Sequence, residues 1–137
     1  MNHPIISALI VLFHLVVLDP QRAQERAEAV QEESLVNRVP QSLLVAVCFG
    51  ESTFGESRRQ ARFCGCMAGW ARTDKQQAAC AARSLARGID QCGSIPRALN
   101  RYVSGTCSGA NSPRHTRWYR EMVLRVFRRL DEERRGR

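Results

Sequence analysis

The sequence predicts an all-α domain whose loops are held by disulfide bonds. Apolar residues recur at three- and four-residue spacing along most of the chain, and no segment shows the apolar–polar alternation of a half-buried strand. The six cysteines are an even set in a chain of 137 residues, which is typical of small disulfide-stapled domains. With 44% hydrophobic and 25% charged residues, the composition fits one globular domain rather than two.

Residues 5–18 form a nearly unbroken apolar stretch, and a polar segment follows. About 14 residues are too few to span a bilayer comfortably but suit the h-region of a secretory signal, although no Lys or Arg precedes them. We therefore expect export, with residues 1–29 as a signal peptide or N-terminal membrane segment plus linker and residues 30–137 as the domain. The triplet Ala27-Glu28-Ala29 resembles a cleavage site but lies far beyond the stretch, so an uncleaved membrane tether stays open.

The first two helices differ in how strongly the sequence indicates them. The charged segment 21–38 is expected to be a linker, or a helix that lies loosely on the domain. Pro40 suits the first turn of the next helix, which is predicted to end near Gly50 or Ser52.

Three more helices are predicted from their start signals. Thr73 and Gln76 form a TxxQ capping box at the start of a helix whose apolar stripe comprises Ala78, Ala82, Leu85 and Ile89. Pro96 starts a short helix that ends by Gly105, and Ser112-Pro113 opens the last one. Two adjacent rows at four-residue steps predict a broad core face on this last helix, made of Trp118, Met122 and Val126 with Tyr119, Val123 and Phe127.

The cysteines favour disulfides in an oxidising compartment over a metal site. Six cysteines allow 15 pairings; we expect Cys92 to pair with Cys107, and the other four to form two bridges whose pattern stays open. The spacings lack the paired CxxC knuckles of zinc sites, and His115 is the only nearby imidazole. No metal or cofactor is therefore expected.

The basic charge implies an anionic partner. The formal net charge is +8; without residues 1–29, which hold two Arg and three acids, 19 basic and 10 acidic residues remain, giving +9. For an exported protein, an acidic cell-wall polymer or a membrane surface is a better candidate than nucleic acid. The simpler alternative is that the arginines of residues 114–137 decorate a solvated helix face.

The segment QSLLVAVCFGESTF, residues 41–54, places a carboxyl group at the end of an apolar helix. Glu51 shares a helix face with Leu44, Val47 and Cys48, so its side chain is expected against apolar walls. Desolvation of this kind raises the pKa of a carboxyl and makes it a candidate general acid. The alternative is a glutamate that reaches solvent at the helix end.

Three segments in order resemble the lytic transglycosylases of the lysozyme-like superfamily. The helix ending in Glu51-Ser52 matches the family's ES dipeptide, the glycine-rich loop of residues 64–70 corresponds to its GLMQ-type loop, and ALNRYVSG, residues 98–105, is similar to its AL-x-x-YN-x-G segment. The resemblance covers residues 39–130. It implies a lysozyme-like helical domain with a sugar-binding groove.

The resemblance also implies roles for five residues. Glu51 would be the catalytic acid and base, and Ser52, Met67, Trp70 and Tyr102 would bind substrate. For each of the four, a local role stays open: Ser52 could cap the helix end, Met67 and Trp70 could fill space under the loop, and Tyr102 could pack in the core with its hydroxyl at the rim.

The implied activity is lytic cleavage of peptidoglycan between N-acetylmuramic acid and N-acetylglucosamine, with anhydromuramoyl products. The partners expected are glycan strands and an envelope-spanning machine. The loop CGCMAGW lacks the family's Gln, and Val103 stands where the family has Asn. Three alternatives therefore stay open: a hydrolytic lysozyme, which would need a second carboxylate such as Glu56 or Asp74, a non-catalytic wall-binding protein, and a cationic membrane-active protein.

Overall fold

The residues that the structure describes form five α-helices. The computed structural model describes residues 20–54 and 62–136, without the side chains of residues 51–54. The helices are α1 (Pro20–Asn37), α2 (Gln41–Phe54), α3 (Asp74–Cys92), α4 (Ile95–Ser104) and α5 (Pro113–Arg135). No strand occurs in these ranges, so the all-α prediction is confirmed. The predicted signal, residues 5–18, lies outside the described residues.

Helix α1 packs tightly on the domain, so the expectation of a loose segment is wrong. Ala23, Ala27 and Val30 lie on one face of α1 and are fully buried against the core. Because alanine side chains are small, α1 can approach α3 closely along its length. The boundary predicted between residues 29 and 30 falls inside this helix.

An ion pair fastens α1 to the start of α3. Nε of Arg26 donates to Oδ2 of Asp74 at 3.0 Å, and its guanidinium lies 4.5 Å from the centroid of the Phe63 ring. The more exposed Arg22 approaches the same oxygen at 3.5 Å. Asp74 occupies the first turn of α3, where the helix dipole also favours a negative charge.

Helix α2 lies at the centre of the molecule and contacts α1, α3 and α5. Residues 43–48 are buried on every side of the helix, which explains the continuous apolar sequence. The helix begins one residue after Pro40, which therefore precedes the first turn, and it extends to Phe54, beyond the predicted end near Gly50 or Ser52.

The predicted start of α3 after Thr73 and the predicted end of α4 by Gly105 are confirmed, whereas α4 begins at Ile95, one residue before Pro96. The Thr73 side chain accepts from the N–H of Gln76, whose side chain bonds back to the Thr73 N–H, so both halves of the capping box are present. Gly105 ends α4 at a φ of 86°, a conformation that glycine adopts without strain.

Helix α5 turns a narrower face to the core than the sequence predicts. Thr116, Tyr119 and Val123 are buried, whereas the Trp118 side chain is 45% exposed, so its assignment to the core is wrong. The two apolar rows lie about 100° apart around the helix. Because α5 covers the domain from one side only, the row that contains Tyr119 and Val123 faces the core. Trp118, in the other row, lies outside the buried face.

Three disulfides staple the helices and loops: Cys48–Cys64, Cys66–Cys80 and Cys92–Cys107. The pairing of Cys92 with Cys107 is as predicted, and the other four cysteines form the two remaining bridges. Three bridges with no free cysteine indicate an oxidising compartment.

Among residues 20–54 and 62–136, no helix has the length and hydropathy needed to cross a bilayer.

Candidate active site

Helix α2 carries the predicted acid on its last turn. Leu44, Val47 and Cys48, which define the face predicted for Glu51, are fully buried. Glu51 follows Val47 by one helical turn. The side chains of Glu51 and Ser52 lie outside the described residues, so their assignment as acid and substrate ligand stays a prediction.

The Cys48–Cys64 bridge connects the turn before Glu51 to the loop of residues 62–73. The two Cα atoms are 3.9 Å apart, and both residues are completely buried. A second bridge, Cys66–Cys80, ties the same loop to α3. The loop is therefore fixed covalently to both helices, close to the end of α2.

Gln77 organises the backbone of this loop from the first turn of α3. The side chain is 1% exposed. Its Oε1 accepts from the N–H groups of Cys64 and Cys66, at 3.2 and 3.0 Å. Its Nε2 donates to the carbonyls of Cys66 and Ala71, at 2.7 and 2.5 Å. One amide thus satisfies backbone groups on both arms of the loop.

Arg62 holds the same loop from its beginning. Its Nη1 donates to the carbonyl of Ala68 at 2.7 Å, and also lies within hydrogen-bonding distance of the carbonyls of Ala71 and Cys66, at 3.2 and 3.4 Å. A cation is suited to this position because three carbonyl oxygens point inward at one place. Together with Gln77 it gives an irregular segment the hydrogen bonds that a helix would provide internally.

Tyr102 joins α4 to the loop. Its hydroxyl donates to the Cys64 carbonyl at 2.5 Å, and its ring stacks on that of Tyr119 with centroids 6.4 Å apart. The half-buried side chain therefore has a structural role, with the ring packed and the hydroxyl on the loop. Cys64, whose carbonyl accepts this hydrogen bond, is bridged to Cys48, and Cys48 lies about one helical turn before Glu51. Its role in binding substrate stays a prediction.

Met67 and Trp70 lie at the exposed tip of the loop. Their side chains are 65% and 48% exposed, so they do not fill space beneath it. The Arg83 guanidinium, from α3, lies 5.2 Å from the centroid of the Trp70 ring. This combination of apolar surface and a hydrogen-bond donor is suited to a sugar ring, which has apolar faces and hydroxyl edges.

The possible second carboxylates are not equally available. Asp74 is engaged by Arg26 and Arg22 at the start of α3. Asp90 is exposed on α3, and Glu56 lies outside the described residues. Asp74 thus has a structural use at the start of α3.

Asn100 has a structural place in the buried junction of α4 and α5. It is 5% exposed, donates to the Cys107 carbonyl at 2.9 Å and accepts from Nη1 of Arg120 at 3.1 Å. These contacts fix the loop that the Cys92–Cys107 bridge closes.

Sequence reasoning missed Gln77 and Arg62. A signal for Gln77 was present: it lies four residues before Ala81 and eight before Leu85, on a buried face of α3. A polar residue on such a face must find hydrogen bonds inside the protein. Arg62 gave no signal, since its partners are carbonyls of an irregular loop.

Within the described part of the chain, no three His, Cys, Asp or Glu side chains are grouped so that they could hold a metal ion. At this end of α2 the described residues form a loop that is fixed by two disulfides and has an exposed apolar tip. Comparisons with family models, with curated proteins and with solved structures give no match for this chain.

Proposed function

We propose that this protein is an exported lytic transglycosylase that cleaves the bond between N-acetylmuramic acid and N-acetylglucosamine in peptidoglycan. The observation that carries the proposal is the Cys48–Cys64 bridge. It fastens the loop bearing Met67 and Trp70 to the helix turn that precedes Glu51. A fixed separation between an acid and a sugar-binding surface is what positioning of a glycan strand requires.

Glu51 carries out both proton transfers in the proposed reaction. Its carboxyl group protonates the glycosidic oxygen as the bond to the muramoyl C1 breaks. The resulting carboxylate then removes the proton from the muramoyl 6-hydroxyl, whose oxygen bonds to C1 and closes the anhydro ring. The acid is regenerated and no water is consumed.

The engagement of Asp74 argues against this residue as the second carboxylate of a two-carboxylate hydrolysis. A hydrolase of that type needs a second carboxyl roughly 5–9.5 Å from the acid, available as nucleophile or base. Asp74 is held by two arginines and belongs to the junction of α1 and α3. A single-acid mechanism needs no such residue.

The test is mass spectrometry of the soluble products released from purified peptidoglycan by the full, oxidised chain. Glu51→Gln is compared with Asp90→Asn, which makes the same acid-to-amide change at an exposed position of α3. We expect anhydromuramoyl products from the wild-type protein and from Asp90→Asn, and none from Glu51→Gln. Circular dichroism and thermal unfolding establish that all three proteins are folded.

The other outcomes separate the alternatives. Products with reducing ends would indicate hydrolysis. A folded protein that binds the wall without releasing products would be a wall-binding module. Full activity in Glu51→Gln would eliminate Glu51 as the acid.

A further inference from the structure

The outward face of α5 carries a row of arginines around an exposed tryptophan. Residues three and four apart share a helix face, so Arg114, Trp118, Arg125 and Arg128 lie along one stripe, with Glu121 among them. All five are exposed. Arg117 and Arg129 flank the stripe, which is about 22 Å long at 1.5 Å per residue.

This face has an excess of positive charge. Of the eight charged side chains at positions 114, 117, 121, 125, 128, 129, 132 and 133, five are arginines and three are glutamates. None of the first four arginines forms an ion pair with a described residue, and Arg129 lies 4.0 Å from Glu133. The core does not need these side chains, because the opposite face of α5 supplies Thr116, Tyr119 and Val123.

Trp118 indicates which kind of anionic partner fits. The indole is 45% exposed, and the ring of His115 stacks on it with centroids 6.0 Å apart. At this separation the two rings are offset, so the imidazole lies against only part of one indole face. An exposed indole among arginines is suited to a bilayer interface, where the ring enters the headgroup region and the guanidinium groups bind phosphates.

We propose that the Arg114–Arg129 face of α5 docks on an anionic phospholipid surface, with Trp118 in the headgroup layer. The docking is independent of Glu51 and would hold the domain flat against a membrane. It also differs from the tether predicted for residues 5–18, because it uses charge and one aromatic side chain rather than an apolar span.

The first test is sedimentation of the full chain with phosphatidylcholine vesicles that contain about one third phosphatidylglycerol, enough for a negative surface potential. Arg125→Gln/Arg128→Gln is compared with Arg87→Gln/Arg97→Gln, which removes two charges from exposed positions of α3 and α4. Every protein keeps residues 5–18, so any contribution from that segment is common to all. We expect the α5 pair to weaken partitioning about 30-fold, at about fivefold per arginine, and the control pair to weaken it much less.

The second test locates the contact. The chain has two tryptophans, so Trp70→Phe leaves Trp118 as the sole indole fluorophore. On binding, we expect its emission to shift to the blue and to be quenched by brominated lipid in the headgroup region.

Equal partitioning of the two double variants, or an unshifted Trp118 emission in bound protein, would overturn the proposal. Tighter binding to short duplex DNA than to the vesicles, lost in Arg125→Gln/Arg128→Gln, would assign the face to a soluble polyanion instead.

Discussion

Replacing Gln77 by methionine tests whether one buried amide holds the loop of residues 62–73. Methionine has a similar length and removes all four hydrogen bonds. The carbonyls of Cys66 and Ala71 keep Arg62 as a partner. The N–H groups of Cys64 and Cys66 lose the acceptor that the structure gives them.

The cost follows from these two N–H groups. A buried donor left without a partner costs about 1–3 kcal/mol, so two cost about 2–6 kcal/mol. Cys64 is completely buried and Cys66 is partly exposed. We therefore expect a central value of about 4 kcal/mol, or about 10–20 °C in Tm for a domain of this size.

The assay is urea unfolding of the oxidised protein, followed by circular dichroism at 222 nm. The matched control is Gln24→Met on the exposed side of α1, where Gln24 donates to the exposed Glu28. It should change the free energy of unfolding by less than about 0.5 kcal/mol. A loss below about 1 kcal/mol for Gln77→Met would refute the reasoning, because it would mean that water or loop movement satisfies both N–H groups.

The variant Gln77→Glu tests the same hydrogen bonds through the pH dependence of the free energy of unfolding. One carboxylate oxygen could accept from the two N–H groups, but the other would face two carbonyls and could not donate unless protonated. Folding therefore raises the pKa of the introduced carboxyl. For an acid with a raised folded-state pKa, the folded state binds more protons, so stability falls as pH rises from the unfolded pKa through the folded one. The stability deficit relative to wild type should thus shrink between pH 7 and pH 4.

Three further substitutions or deletions test the packing. Arg26→Met leaves the Asp74 carboxylate, whose side chain is 22% exposed, with the more exposed Arg22 at 3.5 Å as its remaining cation, and should cost about 2–3 kcal/mol in urea unfolding, less than a fully buried pair would. Gly109→Ala places a Cβ 2.5 Å from the Thr116 methyl at a φ of 67° and should cost about 2–3 kcal/mol, whereas Gly69→Ala, with no atom within 4 Å, should be nearly neutral by the same measurement. A chain that starts at residue 30 lacks half of α1 and should lose more than about 3 kcal/mol relative to one that starts at residue 20, measured by thermal unfolding; equal Tm values would show that α1 contributes little.

The helix starts could be predicted from sequence because capping is local. The Thr73 capping box needs only residues within one turn, and it forms as expected. The packing of α1 could not be predicted in the same way. Its buried stripe is built on Ala23 and Ala27, whose hydropathy contrasts weakly with the surrounding charges, so the burial depends on the presence of α3.

The Trp118 assignment failed for a related reason. Four-residue spacing shows which residues share a row, but the position of the neighbouring helix decides which row is buried. Gln77 was missed because its partners are backbone atoms of a loop with no regular pattern. The helix face predicted to carry Glu51 is buried at its described positions, Leu44, Val47 and Cys48. That prediction depended on the periodicity of one uninterrupted helix and not on the position of a neighbouring helix.

The residues that hold the loop of residues 62–73 in place are different from those exposed at its tip, and this difference determines which substitutions the loop can tolerate. Gln77 and Arg62 bind its backbone, and two disulfides fix its arms, so the side chains at its tip contribute little to its conformation. Met67 and Trp70 are exposed for that reason. A loop stabilised in this way can present different tip residues to a ligand without changing shape, because a backbone carbonyl or N–H is the same whatever side chain it carries. In this chain the amide that binds the loop backbone comes from Gln77 on α3 and not from the loop itself.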